Sequence, residues 1–159
     1  MAFLVKPHNK PRAGYDLVRT WQRTDRADKA LPASTNEALF TVSGGRVIVH
    51  RLLGEVGTAI QNQVNLTSIT TTPTAGTAGT VASNLDIAND EAGTLYFPEG
   101  DGTALVGVNA GTGFTAGNVQ SFIVPIGTIR LACSATNTGS IKWSIWWEPL
   151  DNNATLVAA

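Results

Sequence analysis

The side chains in this chain that could do chemistry are few and scattered. Its 159 residues hold two histidines, His8 and His50, and one cysteine, Cys133. A metal site needs His, Cys or carboxylates clustered at ligand spacing, and neither histidine has such neighbours in sequence. His50, in "VIVHRLL", reads as an ordinary strand histidine. A nucleophilic Cys133 would need a base to hold it as thiolate. In "TIRLACSAT" it shares the face of Ile129 and Leu131, which is the setting of a buried, inert thiol.

The carboxylates offer a second chemistry. Asp86, Asp90 and Glu91 in "LDIANDEAG", with Glu99 and Asp101 in "FPEGDG", could supply oxygens for calcium or a glycosidase pair. Neither stretch matches an EF-hand loop, and both read as soluble turn formers. No G-x-S-x-G stretch is present to form a nucleophile elbow. The glycine-rich "GDGTALVGVNAGTGFTAG" lacks the Lys-Ser/Thr of a phosphate loop and opens no helix. No enzyme, cofactor or metal is expected from these residues.

Aromatic residues are the third group. Three of the four tryptophans, Trp143, Trp146 and Trp147, fall within five positions of "GSIKWSIWWEPLDNN". Such a cluster suits a ligand platform, a core or a protein interface. Strand side chains alternate between faces. Trp143 and Trp147 therefore go with Ile141 and Ile145 on an apolar face. Trp146 points the other way, among Lys142, Ser144 and Glu148. A large aromatic left among polar neighbours marks an interface or a surface for stacking a sugar ring.

The elements that carry these residues read as β-structure. Charged residues make up 14% of the chain, against about a quarter in typical domains. Polarity comes instead from Thr, Asn, Ser and Gly, a mixture that favours strands and turns. From residue 38 onward, short apolar runs recur at intervals of about ten residues, separated by Gly, Pro, Asn or Asp. "ALFTV" and "VIVHRLLGEV" around "SGGR" read as a hairpin. "GTIRLACSAT" and "SIKWSIWWE" read as a terminal hairpin closed by Asn137–Gly139, with Gly139 in a positive-φ position. "TTTPTAGTAGTVASN" (residues 70–84) reads as a long loop or an edge excursion. No segment after residue 38 keeps a helical period for three turns. The expected fold is all-β: a single β-sandwich or Greek-key barrel of jelly-roll type over residues 38–159.

Residues 1–37 differ. Pro7, Pro11, Gly14 and Pro32 punctuate them. Residues 1–30 carry seven bases against three acids, a net +4, whereas residues 52–129 carry no Lys or Arg and six acids, a net −6. This segment reads as an extended basic N-terminal arm with at most one helical turn within residues 16–29. Tyr15, Arg19, Trp21, Arg23 and Arg26 are its candidate contact residues, because aromatics and arginine dominate interface energies. The bases are interleaved with acids, a weak nucleic-acid footprint, so no specific nucleic acid is expected. Ala2–Val5 is too short an apolar run for a signal peptide, and no stretch is long enough to span a membrane as a helix. One cysteine allows no intrachain disulfide, leaving packing or oligomerisation to hold the fold.

A basic irregular arm, a Thr/Gly/Ala-rich β-body, the stretch "GTIRLACSATNTGSIKWSIWWEPLD" and a tail "NNATLVAA" occur together here. In this combination the chain resembles small structural proteins of tailed-bacteriophage virions, above all head decoration (cement) proteins. The resemblance is general over residues 38–159 and most specific over 127–151. It implies synthesis in the host cytoplasm and a place on the outer surface of the head. It also implies a homotrimer bound to the major capsid protein that stabilises the shell against packaged DNA. It carries over no catalytic residue. The competing expectation is a carbohydrate-binding, lectin-like sandwich in which Trp146 stacks on a sugar.

Overall fold

The computed structural model describes residues 21–110 and 120–159. Eleven strands and no helix occur among them: β1 (Gln22–Ala30), β2 (Asn36–Ser43), β3 (Val47–Thr58), β4 (Leu66–Pro73), β5 (Gly79–Asp86), β6 (Leu95–Phe97), β7 (Val106–Val108), β8 (Phe122–Val124), β9 (Gly127–Cys133), β10 (Ser140–Pro149) and β11 (Thr155–Ala158). They form two antiparallel sheets packed face to face. The first runs β1-β10-β3-β6-β7, with β8 also paired to β3; the second runs β11-β2-β9-β4-β5. The molecule is the expected β-sandwich.

Strand alternation builds the core. Ile129, Leu131 and Cys133 of β9 are buried, and Arg130 and Ala132 between them are half-exposed. Ile141, Trp143, Ile145 and Trp147 of β10 face them from the opposite sheet, fully buried in the same cluster. Each such side chain stabilises the fold by roughly 1.5–3 kcal/mol through removal from water. Trp147 also donates its Nε1–H to Thr24 Oγ1 at 3.0 Å, which ties the core to β1.

Three expectations about connectivity are corrected. β9 and β10 do not form a hairpin: β9 pairs with β2 and β4, whereas β10 pairs with β1 and β3. β2 and β3 likewise lie in different sheets. In both places the short turn carries the chain across the end of the sandwich, because each strand has an apolar face that only the opposite sheet can cover. The crossing strands leave ladder groups unpaired, and two buried asparagines replace the missing partners. Asn65 Oδ1 accepts from Ser134 N (3.0 Å) and Ala135 N (3.3 Å). Asn137 Nδ2 donates to the carbonyls of Gln61 (3.2 Å) and Gln63 (2.7 Å). Gly139 does take a positive φ, +128°, and a Cβ there would meet the Ile60 backbone at 3.0 Å. Residues 70–84 are an edge excursion, the β4–β5 hairpin.

The third correction concerns residues 22–37. They are not an arm: β1 pairs with β10 from Gln22↔Trp147 to Ala30↔Ser140, and β2 begins at Asn36. The expected helical turn is replaced by strand over Gln22–Ala30. β1 escapes pattern reading because it is an edge strand, whose charges guard against pairing with other chains. Its inward side chains, Thr24 and Arg26, are polar. Both sandwich sides are bridged. Thr24 Oγ1 and Arg26 Nε reach the carbonyls of Leu156 and Ala159 (both 3.4 Å) on one side. On the other, Ser83 N donates to Thr103 O (2.7 Å) and Leu105 N to Ser83 O (3.0 Å).

A bulge in β3 positions the surface described next. Trp146 pairs with Arg51 and Trp147 with Val49, so His50 is an extra residue. Inward burial accordingly passes from Val47 and Val49 to Leu52, Gly54 and Val56. His50 and Arg51, though adjacent, both turn outward.

Candidate interaction surface

The outer face of the first sheet follows from its register. Arg23, Trp146 and Arg51 form one row across β1, β10 and β3; Asp25, Ser144 and Leu53 form the next; Lys142 and Glu55 follow. In the other direction, Glu148 is opposite Ile48, and Ile48 opposite Ile123 of β8.

Trp21, the residue before β1, lies flat on His50, with ring centroids 4.3 Å apart and planes 13° from parallel. One hydrogen bond orients the imidazole, Nδ1 lying 3.0 Å from Ser121 Oγ, while Nε2 faces Glu148 Oε1 at 3.6 Å. The second separation exceeds hydrogen-bond range. The ring is thus a platform on which Trp21 rests while 60% exposed. Ile123, 57% exposed, lies two residues from Ser121 on the same face. Sequence reading singled out Trp21 but treated His50 as an ordinary strand residue. The bulge that turns His50 beneath Trp21 leaves no mark in local alternation.

Trp146 faces outward among Lys142, Ser144 and Glu148, as alternation dictates, but it is only half-exposed. The Arg23 guanidinium covers its ring at 5.1 Å from the centroid, a cation–π contact. Arg23 also donates to Asp25 Oδ1 (2.8 Å) and Ser144 Oγ (3.3 Å), and Ser144 Oγ donates to the same carboxylate oxygen (2.6 Å). The Ser144 hydroxyl first, and Arg23 second, hold the Asp25 carboxyl below its ordinary range. Beside this network lies a depression of about 440 Å³, bordered by Trp146, Leu53, Asp25, Asp28, Glu55 and Lys142.

Arg26 is not available as a contact residue. It is buried and paired to Glu37 Oε1 at 2.6 Å, with Lys29 on the same oxygen. An inward position in an edge strand makes Arg26 a cover for the core. Tyr15 and Arg19 lie outside the described residues. The structure thus brings Trp21, Arg23 and Trp146 onto one face and removes Arg26 from it.

The remaining candidates stay apart. No group of three or more His, Cys, Asp or Glu among the described residues is arranged to hold a metal ion. Burial pushes the Cys133 thiol up, away from thiolate. Asp90 accepts a hydrogen bond from the Tyr96 hydroxyl. Its carboxyl is raised mainly by burial, against the lowering effect of that bond and with the help of the Asp86 and Glu91 charges. Burial, then Asp90, pushes the Tyr96 hydroxyl up in turn.

Fold and surface together define a two-sheet antiparallel β-sandwich bearing an aromatic and arginine-rich outer face. No protein-family model, curated protein or solved structure matches the chain.

Proposed function

We propose that this protein is a virion structural protein, a head decoration protein of the tailed-bacteriophage kind. In this reading it docks on the outer surface of the major capsid protein as a homotrimer and stabilises the shell against packaged DNA. The observation that carries the reading is Trp21, fixed on His50 yet more than half exposed. It stands where residues 1–20 join the sandwich.

Charge supports the same division of labour. Residues 21–30 have their cations engaged at home: Arg23 with Asp25, and Arg26 and Lys29 with Glu37. Residues 1–20 carry four bases against one acid, a net +3, while the described residues carry seven bases against eleven acids, a net −4. Lys6, Lys10, Arg12 and Arg19 thus add positive charge next to the Trp21 anchor in the sequence. A basic segment next to a preset aromatic anchor suits an acidic protein surface, and repetition over a lattice multiplies a modest interface into strong avidity.

The test is co-sedimentation with capsids of the encoding virus stripped of this protein. The full chain should bind at a fixed copy number, and a chain beginning at Trp21 should bind at least tenfold more weakly while melting at the same temperature. Equal binding by the shortened chain, or none by the full chain, refutes the reading. A monomer in light scattering at micromolar concentration refutes the trimer.

A further inference from the structure

We infer that the depression beside β1 is a binding groove for a neutral oligosaccharide, separate from the Trp21 anchor. An irregularity of the edge strand lies beside the groove. Pairing between β1 and β10 shifts between Arg26 and Lys29, so Ala27 and Asp28 together stand opposite Lys142 and the strand bulges there. Bulges at sheet edges commonly re-aim side chains in this way. Trp146 and Leu53 make the apolar part of the floor, and Ser144 stands between them and the β1 wall.

Asp28 reaches across β10 to a space left open on β3. A Cβ on Gly57 would fall 2.4 Å from Asp28 Oδ2; the missing side chain is the space that the carboxylate occupies. Ser140 Oγ donates to the same oxygen at 2.8 Å. Across the groove, Lys142 Nζ is 3.0 Å from Glu55 Oε2. A rim of oriented carboxylates and an ammonium can both accept from and donate to hydroxyl groups.

Charge selects the ligand class. Two exposed cations, Arg23 and Lys142, border the groove and are paired with its carboxylates Asp25 and Glu55; Arg26, at its edge, is buried and paired with Glu37. Only the Asp28 carboxylate is left in excess, so the groove repels an anionic ligand and offers no strong field to a cationic one. A neutral sugar fits both halves of the surface: its C–H face packs on Trp146 and Leu53, and its hydroxyls meet the polar rim. The volume of about 440 Å³ lies within the ~300–1,000 Å³ common for ligand sites.

The experiment uses the full chain, titrated with maltotriose, cellotriose and chitotriose by ligand-observed NMR, with a sulfated heparin tetrasaccharide and a synthetic peptide of residues 1–20 as competitors for the same groove. At least one neutral trisaccharide should bind saturably. Trp146→Ala and Asp28→Ala should each weaken it at least tenfold with unchanged circular dichroism, and deletion of residues 1–20 should leave it intact. Gly57→Ala should reproduce the Asp28 defect by displacing that carboxylate. Absence of binding by all three sugars, stronger binding of the sulfated sugar or of the peptide, or indifference to both the Trp146 and Asp28 substitutions overturns the inference.

Discussion

Trp21 and His50 stack at 4.3 Å with nearly parallel rings, and this contact fixes the last point of the sandwich before the basic N-terminal residues. Its partners have different environments. His50 is half-buried and braced by Ser121 and Glu148, whereas Trp21 has most of its surface in solvent. Removing the Trp21 ring therefore tests binding more than folding. Trp21→Ala should cost at most about 1 kcal/mol in chemical denaturation, the range for an exposed aromatic pair, while lowering capsid affinity at least tenfold. His50→Ala should also lower capsid affinity and change Trp21 emission, with a larger loss of stability because its side chain is mostly buried and bonded to Ser121. A loss of several kcal/mol on Trp21→Ala would mean that this residue belongs to the core.

Arg26 should behave in the opposite way. It is buried and engaged with Glu37 and the Ala159 carbonyl. Truncating one member of a buried ion pair strands the other, so Arg26→Ala should cost roughly 2–4 kcal/mol in denaturant titration. Arg26→Met should cost less, since it keeps the aliphatic cover over the core. Both should retain capsid binding under conditions where they remain folded.

Gly54 measures how tightly the tryptophan core is packed. A Cβ at this position would lie 2.8 Å from the Trp143 ring. Gly54→Ala should therefore destabilise by about 1–3 kcal/mol through overpacking, read as a lower denaturation midpoint with an unchanged slope. Replacing Gly79, where the nearest atom is the Thr71 hydroxyl at 3.2 Å, should cost less.

Asp90 sets a pH dependence with a definite sign. Its folded carboxyl is raised above the unfolded value, so the folded chain holds its proton more tightly. The resulting stability is fully present below the unfolded pKa of about 4 and is lost as pH rises through the folded value. At neutral pH the ionised, half-buried group is a net cost. Asp90→Asn should then stabilise the fold at pH 7 by under ~1 kcal/mol, because solvent still screens the group, read as a higher melting temperature. The gain should vanish at pH 3. An equal gain at both pH values would assign it to something other than the charge.

Composition and period reached far into this fold. The two faces of β10 could be read directly, because the two-residue period of a strand admits one division of Ile141, Trp143, Ile145 and Trp147 from Lys142, Ser144 and Trp146. The inward set of β9 followed for the same reason. That argument assigns faces and says nothing about neighbours. Adjacent strands joined by a three-residue turn looked like a hairpin, yet they belong to opposite sheets. β1 was missed because its inward positions hold Thr24 and Arg26, whose partners Trp147, Leu156, Glu37 and Ala159 are all distant in sequence except Glu37.

By itself, the sequence determined the all-β class, the turn glycine at Gly139, the burial of Trp143 and Trp147 and the outward direction of Trp146. These depend on local chemistry and on a period of two. Only the tertiary structure decided which sheet each strand joins, that residues 22–30 complete the first sheet, that a bulge turns His50 beneath Trp21, and that Arg23 covers Trp146. Each of these depends on contacts between segments far apart in the chain, where the gain from burying two apolar faces against each other outweighs what any local pattern prefers.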